Sequence, residues 1–316
     1  YRELIGILEK LGDGARNHFL ETTEHYAQEI LHKSKTEYYD DFYTWRGRIY
    51  KPLEKILKDK NPLAAAEKTL TALGFDISRI KVDAEDRPNK TPSAVCWGIN
   101  IPNDVRILYR RTSPFEDIGS VFHEFGHGIH GISADPSDTV WKRYIVPRSV
   151  AETFSILLEE ITHDPVFLTQ EMKLEKDAVR EILNRVRFMN LAFLVFYAAN
   201  SIMKTEFWKD NYNVEQAAER WQQLTKRFFI ETPGYYWLLH HVMPDYDLYS
   251  PSYVIASVRV VTIKQKLERE YGEPWWRNPR AGDYIQELAK TRGEFNIKQW
   301  KLDPRGYLKE QVTSES

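Results

Sequence analysis

In VFHEFGHGIH, residues 121–130, a glutamate stands between two histidines spaced four apart. On an α-helix, residues four apart share a face one turn above another, so His123 and His127 can aim their imidazoles at one ion. Glu124 is rotated from His123 by roughly 100° and cannot easily join them as a ligand. It can reach a water on the ion's open side, which makes the pattern two metal ligands plus a general base. With 9 His and 46 Asp+Glu in the chain, such a triplet arises by chance about 0.04 times. The pattern therefore needs a third ligand.

Catalytic zinc takes three protein ligands and keeps its fourth position open. The metzincin register would require Gly at 130 and His at 133; the chain has His130 and Ser133, which excludes that class. The remaining common solution is a glutamate on a following helix. Glu152, in VPRSVAETFSILLEE, stands beside an apolar stripe of Val150, Ala151, Phe154, Leu157 and Leu158. A carboxylate there is costly to bury without a cation or strong hydrogen bonds. Glu159, two turns along the same face, could hydrogen-bond a ligand imidazole from outside the metal. His130 is a candidate for the same supporting role, with a satisfied core histidine as the other reading. Gly126 and Gly128 each cost about 1 kcal/mol in a helix interior; close packing of the Glu152 helix on that face would explain them.

HEFGHGIH followed by a glutamate 25 positions after its second histidine resembles the thimet oligopeptidase and oligoendopeptidase F family of zinc peptidases. AETFS at 151–155 stands where that family has its ligand glutamate. DRPNKTPSAVCWG (86–98) resembles its stretch ending in a small-residue strand along the cleft. HHVMPDYDLYSPSYVIASV (240–258) resembles its histidine-and-tyrosine substrate segment. The matches run over roughly 80–260, in order; Ser250 stands where one tyrosine is expected, with Tyr249 adjacent.

The resemblance implies one Zn2+ per chain, held by His123, His127 and Glu152, with Glu124 as base. It implies Tyr253, Tyr246 and His241 as donors to the oxyanion, although His240 or His241 could be the family histidine. His240, Tyr249, Ala94, Cys96 and Gly98 become candidates for substrate contact. The implied fold is mainly α, gluzincin-like, with a small β-sheet beside the active-site helix and two helical halves around a deep channel. The expected activity is hydrolysis of internal bonds in short unstructured peptides, and the free edge of strand 93–98 could pair with an extended substrate backbone. Two alternatives remain. One is a carboxypeptidase or dipeptidyl carboxypeptidase, with Arg259, Lys264 or Arg148 holding the substrate carboxylate. The other is a non-catalytic peptide-binding protein with a zinc site. A Gly-Ala-Met-Glu-Asn motif is absent, which argues against a thermolysin-like aminopeptidase.

The elements that must position these residues read mostly as helix. Residues 1–33 have helical spacing with an expected break at Gly12 and Gly14. A second helix fits about 36–58, and a third fits 61–74 between an Asn61-Pro62 start and Gly74. SAVCWGINI (93–101) and VRILYR (105–110) read as a hairpin across PND. Helices follow near 114–132, 147–162, 174–209, 213–229, 251–271 and 281–291, interrupted by irregular 133–146 and 230–253. The expected division is an N-terminal helical segment, 1–75, and a catalytic domain, 76–316.

The chain is 42% apolar and 28% charged, ordinary for a globular protein. A net charge of −2 steers it toward neither nucleic acid nor an anionic membrane. The apolar run 188–203 reads as too short to span a bilayer. The single cysteine, Cys96, excludes an internal disulfide and reads as a small buried hydrophobe. With no visible leader, it fits a cytoplasmic protein. The start at Tyr1 is read as an N-terminal truncation; the oligomeric state is left open.

Overall fold

Leu8, Leu11, Ala15 and Phe19 recur at three- and four-residue spacing, and all four are buried along one helix, α1 (Arg2–Tyr26). The computed structural model describes residues 2–91, 93–237, 249–293 and 302–312. No break occurs at Gly12 or Gly14. A Cβ at Gly12 would lie 2.6 Å from the Phe228 ring, and one at Gly14 would collide with Leu308, so these glycines make room for neighbours. The expected helix over 36–58 is also corrected. That stretch is a 3-10 turn (Tyr38–Asp40), a π-turn (Phe42–Arg48) and a short α2 (Lys51–Leu57). Buried Asp40 accepts from the Lys33 ammonium and the Glu37 N–H, which resets the backbone there.

α3 (Pro62–Ala72) starts where Asn61 accepts the Ala64 N–H, and the chain leaves it through Gly74 at φ +98°. Strands β1 (Ile80–Asp83), β2 (Val95–Asn100) and β3 (Asp104–Leu108) form a sheet in the order β1-β3-β2. The β2–β3 hairpin is antiparallel, with Cys96 opposite Ile107; β1 joins β3 in parallel and was not foreseen. Four residues carry too little alternation to announce a strand.

Then follow α4 (Glu116–Ile132), a short α5 (Val140–Tyr144) inside the segment expected to be irregular, and α6 (Arg148–Glu159). Next come α7 (Lys176–Asp210), α8 (Val214–Phe228), α9 (Tyr249–Tyr271), α10 (Pro279–Lys290) and α11 (Pro304–Val312). The architecture is mainly α with a small mixed sheet packed on α4.

The run 188–203 lies inside the 35-residue α7, which by length and composition could cross a bilayer. Its apolar window is 72% buried, with Val195, Ala198 and Ile202 fully enclosed, so burial in the core rather than shortness accounts for its character.

The residues group into two compact units, each interleaved along the chain. One comprises Tyr1–Lys51, Leu183–Val258 and Asp303–Ser316; the other comprises Pro52–Ile182 and Arg259–Leu302. This grouping follows contacts, whereas the division at 75/76 follows chain order. The first unit has an aromatic core in which Phe19 stacks on Phe188 and Phe229. In the second, the sheet buries Ile80, Val105 and Ile107, while α4 buries Phe122, Phe125 and Ile129.

Candidate metal centre

α4 begins at a fixed point. The Asp117 carboxylate, buried, accepts the Thr112 N–H and hydroxyl and the Ser113 N–H, closing the turn into the helix. Along α4, glycines permit three close approaches. A Cβ at Gly126 would sit 2.5 Å from Ser155 Cα and closer still to the Phe154 carbonyl of α6. One at Gly128 would sit 2.8 Å from Ile80 of β1, and one at Gly131 3.1 Å from Val105 of β3. The α6 packing expected for both Gly126 and Gly128 thus holds for the first, while the second faces the sheet.

The α4–α6 approach brings His123, His127 and Glu152 together, with one donor atom from each within 4.8 Å of the others. Glu152 Oε2 lies 3.4 Å from His123 Nε2 and 3.6 Å from His127 Nε2. Ligands about 2.0–2.1 Å from a tetrahedral ion stand about 3.4 Å apart, so this vertex fits zinc. Glu152 is 2% exposed, and Ser155 Oγ donates to its Oε2 at 2.9 Å. His123 Nδ1 lies 2.8 Å from Glu159 Oε2, a carboxylate acceptor that would keep the ring's remaining proton on Nδ1 when Nε2 gives its own up to an ion. Arg259 Nη1 donates to the Ser149 carbonyl and to Thr153 Oγ1, both at 2.8 Å, and so ties α9 to α6.

Electrostatics separate the two imidazoles. Burial opposes charge on His123, but the carboxylates of Glu152 and Glu159 outweigh it and raise its pKa to about 10. His127, half-buried, is pushed down to about 4 by desolvation and then by its neighbour His123. Glu124 is raised by burial, against the pull of His123 and of a hydrogen bond from the Cys96 backbone. That bond links the glutamate to β2. Burial and then Glu124 push the Cys96 thiol up, so it stays neutral.

The model of Peptidase family M3 matches residues 76–273, more than half of the chain. The chain belongs to peptidase family M3. It is a metallopeptidase by family, with zinc as its metal and His123, His127 and Glu152 as the fitting donor set. No curated protein matches it. Three solved structures share its fold. PZ peptidase A, with a bound inhibitor, has a TM-score of 0.65 at 15% identity, over 98% of this chain and 57% of that one. A protein assigned as oligoendopeptidase F from Bacillus anthracis gives 0.62 at 15%, over 98% and 54%. Metallocarboxypeptidase 1 from Trypanosoma cruzi gives 0.59 at 18%, over 98% and 76%. The M3 chain thus spans little more than half the length of two of these.

Other expected site residues are placed as follows. Cys96 and Gly98 lie on β2 and Ala94 directly precedes it; in the sheet order β2 is an edge strand. His130 packs its ring on Phe154, with centroids 4.5 Å apart and planes at 15°, and its Nε2 meets no hydrogen-bond partner among the described residues. Burial, then Arg292, holds it well below the usual histidine range, as a neutral core side chain. In the other unit, Tyr253 stacks on Tyr197 at 6.0 Å and meets Tyr249 at 4.9 Å. Ser250 is buried, and Asn200 donates to its hydroxyl while accepting from the Trp237 indole. His240, His241 and Tyr246 lie outside the described residues.

Lys90 was missed. Its buried ammonium donates to the Asp83 carbonyl and carboxylate and to the Glu85 carbonyl, pinning the loop between β1 and β2. Nothing in the local pattern marks it, because a lysine in a polar loop ordinarily faces water. Ser155 was missed as well, although its place three residues after Glu152 on a helix, one turn away, is a signal that would have found it.

Proposed function

We propose that the M3 chain cleaves internal bonds of short, unstructured peptides at this centre. The carrying observation is Glu124, adjacent to a ligand histidine, half-buried, and joined through the Cys96 N–H to an edge strand. Zinc, when bound, supplies Lewis acidity at the vertex of His123, His127 and Glu152. The Glu124 carboxylate takes the proton from an attacking water and returns it to the departing amine. Glu159 keeps the His123 ring oriented. β2, with Ala94, Cys96 and Gly98, offers backbone groups to an extended peptide, so recognition rests on main chain more than on sequence. Tyr253, Tyr246 and His241 are assigned to the oxyanion by resemblance, where each donor is worth about 10²–10³ in kcat.

The test is mass spectrometry of a ten-residue peptide incubated with zinc-loaded protein, with Glu124→Gln alongside. Internal cuts by the parent, abolished in a variant that still holds zinc, are expected. Zinc binding without any cutting by the parent would leave a binding protein.

A second reading, removal of residues from the carboxyl end, is favoured by the metallocarboxypeptidase neighbours. It needs a cation for the terminal carboxylate. Arg259 is engaged on α6 and Lys264 stands 3.6 Å from Glu160, which weakens both candidates. Equal cutting of free-acid and amidated peptides would rule this reading out.

A further inference from the structure

Among the described residues, the large exposed apolar side chains of the zinc-bearing unit gather on two segments that are bonded to each other. β2 carries Trp97 and Ile99, each 55% exposed, and α5 with its following residue carries Val140, Trp141 and Ile145, of which Trp141 is 75% exposed. α5 is fastened to the end of β2. Tyr144 Oη accepts the Ile101 N–H at 2.9 Å and donates to the Ile99 carbonyl at 3.3 Å, and Arg143 Nη1 donates to the Ile101 carbonyl at 2.6 Å. Arg292, buried, donates to the Arg143 and His130 carbonyls and so anchors α5 to the end of α4.

Two consequences follow for the edge of β2. The Tyr144 phenol occupies backbone groups at Ile99 and Ile101, so the run open to pairing stops near Gly98. Trp97 projects from the face opposite Cys96, because side chains alternate along a strand. A peptide paired with β2 would bring one side chain, the one directly opposite, to about 5 Å from Trp97, with its alternate neighbours about 7–8 Å away.

We propose that this ledge is a specificity site that selects peptides carrying one large apolar side chain at the position beside Trp97. The proposal rests on the peptidase reading above and deepens it. Its occupant is a substrate side chain, because the ledge is continuous with the strand that touches Glu124.

The test separates binding from turnover. Zinc-loaded Glu124→Gln protein is titrated with ten-residue peptides differing only at one position, scanned along the peptide as Phe, Leu, Ala or Asp. At one position, Phe and Leu are expected to bind at least about tenfold more tightly than Ala. That ratio should fall to near one when Trp97→Ala, or separately Trp141→Ala, is added. Binding without apolar preference, no binding, or a preference unchanged in both tryptophan variants overturns the proposal. So does a dimer of the parent that dissociates on Trp141→Ala, since a second copy would then cover the ledge. Turnover by the parent is scored independently: preference without turnover sinks the peptidase reading alone, and turnover without preference sinks the ledge alone.

Discussion

Gly126→Ala puts a methyl group where α4 meets the backbone of α6. The added Cβ would lie 2.5 Å from Ser155 Cα, about 0.9 Å short of ordinary contact, and the opposing atoms are main chain that cannot rotate away. The helices must part by most of that distance. Overpacking of this kind costs about 1–3 kcal/mol, and the upper end applies because the obstacle is backbone. The gain in helix propensity returns about 1 kcal/mol, leaving a net loss of about 2 kcal/mol. The same displacement carries Glu152 away from His123 and His127, whose present separations of 3.4 and 3.6 Å suit one ion. Zinc affinity should drop by about 10–100-fold, the range seen when a ligand's support is lost. The assay is competition with a chromogenic chelator, together with thermal unfolding of the metal-free protein. Gly6→Ala on α1, with nothing within 4 Å of its added Cβ, is the control and should keep parental zinc affinity with slightly higher stability. If Gly126→Ala held zinc as tightly as the parent and unfolded at the same temperature, glycine at 126 would not be what lets the ligand helices meet.

Glu159→Gln should lower zinc affinity by about 10–100-fold with little change in unfolding temperature, read by the same competition. Asn61→Ala removes the side-chain acceptor for Ala64 and should cost about 1 kcal/mol in denaturant unfolding without touching zinc. Burial would raise Glu160, but His163 and Lys264 reverse this and hold it at about 2, while His163 is raised by Glu160. The depressed carboxylate stabilises above its unfolded pKa and loses that contribution as pH falls toward 2. The raised histidine stabilises below its unfolded pKa and loses that contribution as pH climbs through its folded value. The stability gap between parent and Glu160→Gln should therefore be widest between about pH 4.5 and 6.5; a gap constant from pH 3 to 9 would contradict the pairing.

The metal vertex was legible because its parts obey short rules: two histidines on one helical face, a base one residue on, and a carboxylate beside an apolar stripe. Helix existence was equally plain wherever apolar residues kept a 3.6-residue period, as in α4, α6 and α8. Glycine was misread. At 12 and 14 it looked like punctuation, yet its reason lies in Phe228 and Leu308, more than 200 residues away. Position 250 shows the same limit. Its departure from tyrosine becomes intelligible only once Asn200, itself held by the Trp237 indole, is seen donating to the serine hydroxyl. Parallel β1 depended on β3, and Lys90 on carbonyls of a loop. The first was set by a partner distant in sequence, the second by the path of a loop that no periodicity announces.

Three glycines fall within six residues of the helix that presents both histidines. At about 1 kcal/mol each relative to alanine, they leave residues 116–132 with little helical preference of their own. Excised as a peptide, that stretch would be largely coil and would grip zinc as two tethered imidazoles do. The HExxH motif here is therefore not portable: its metal geometry is a property of the surrounding sheet and α6, and can be transplanted only together with them.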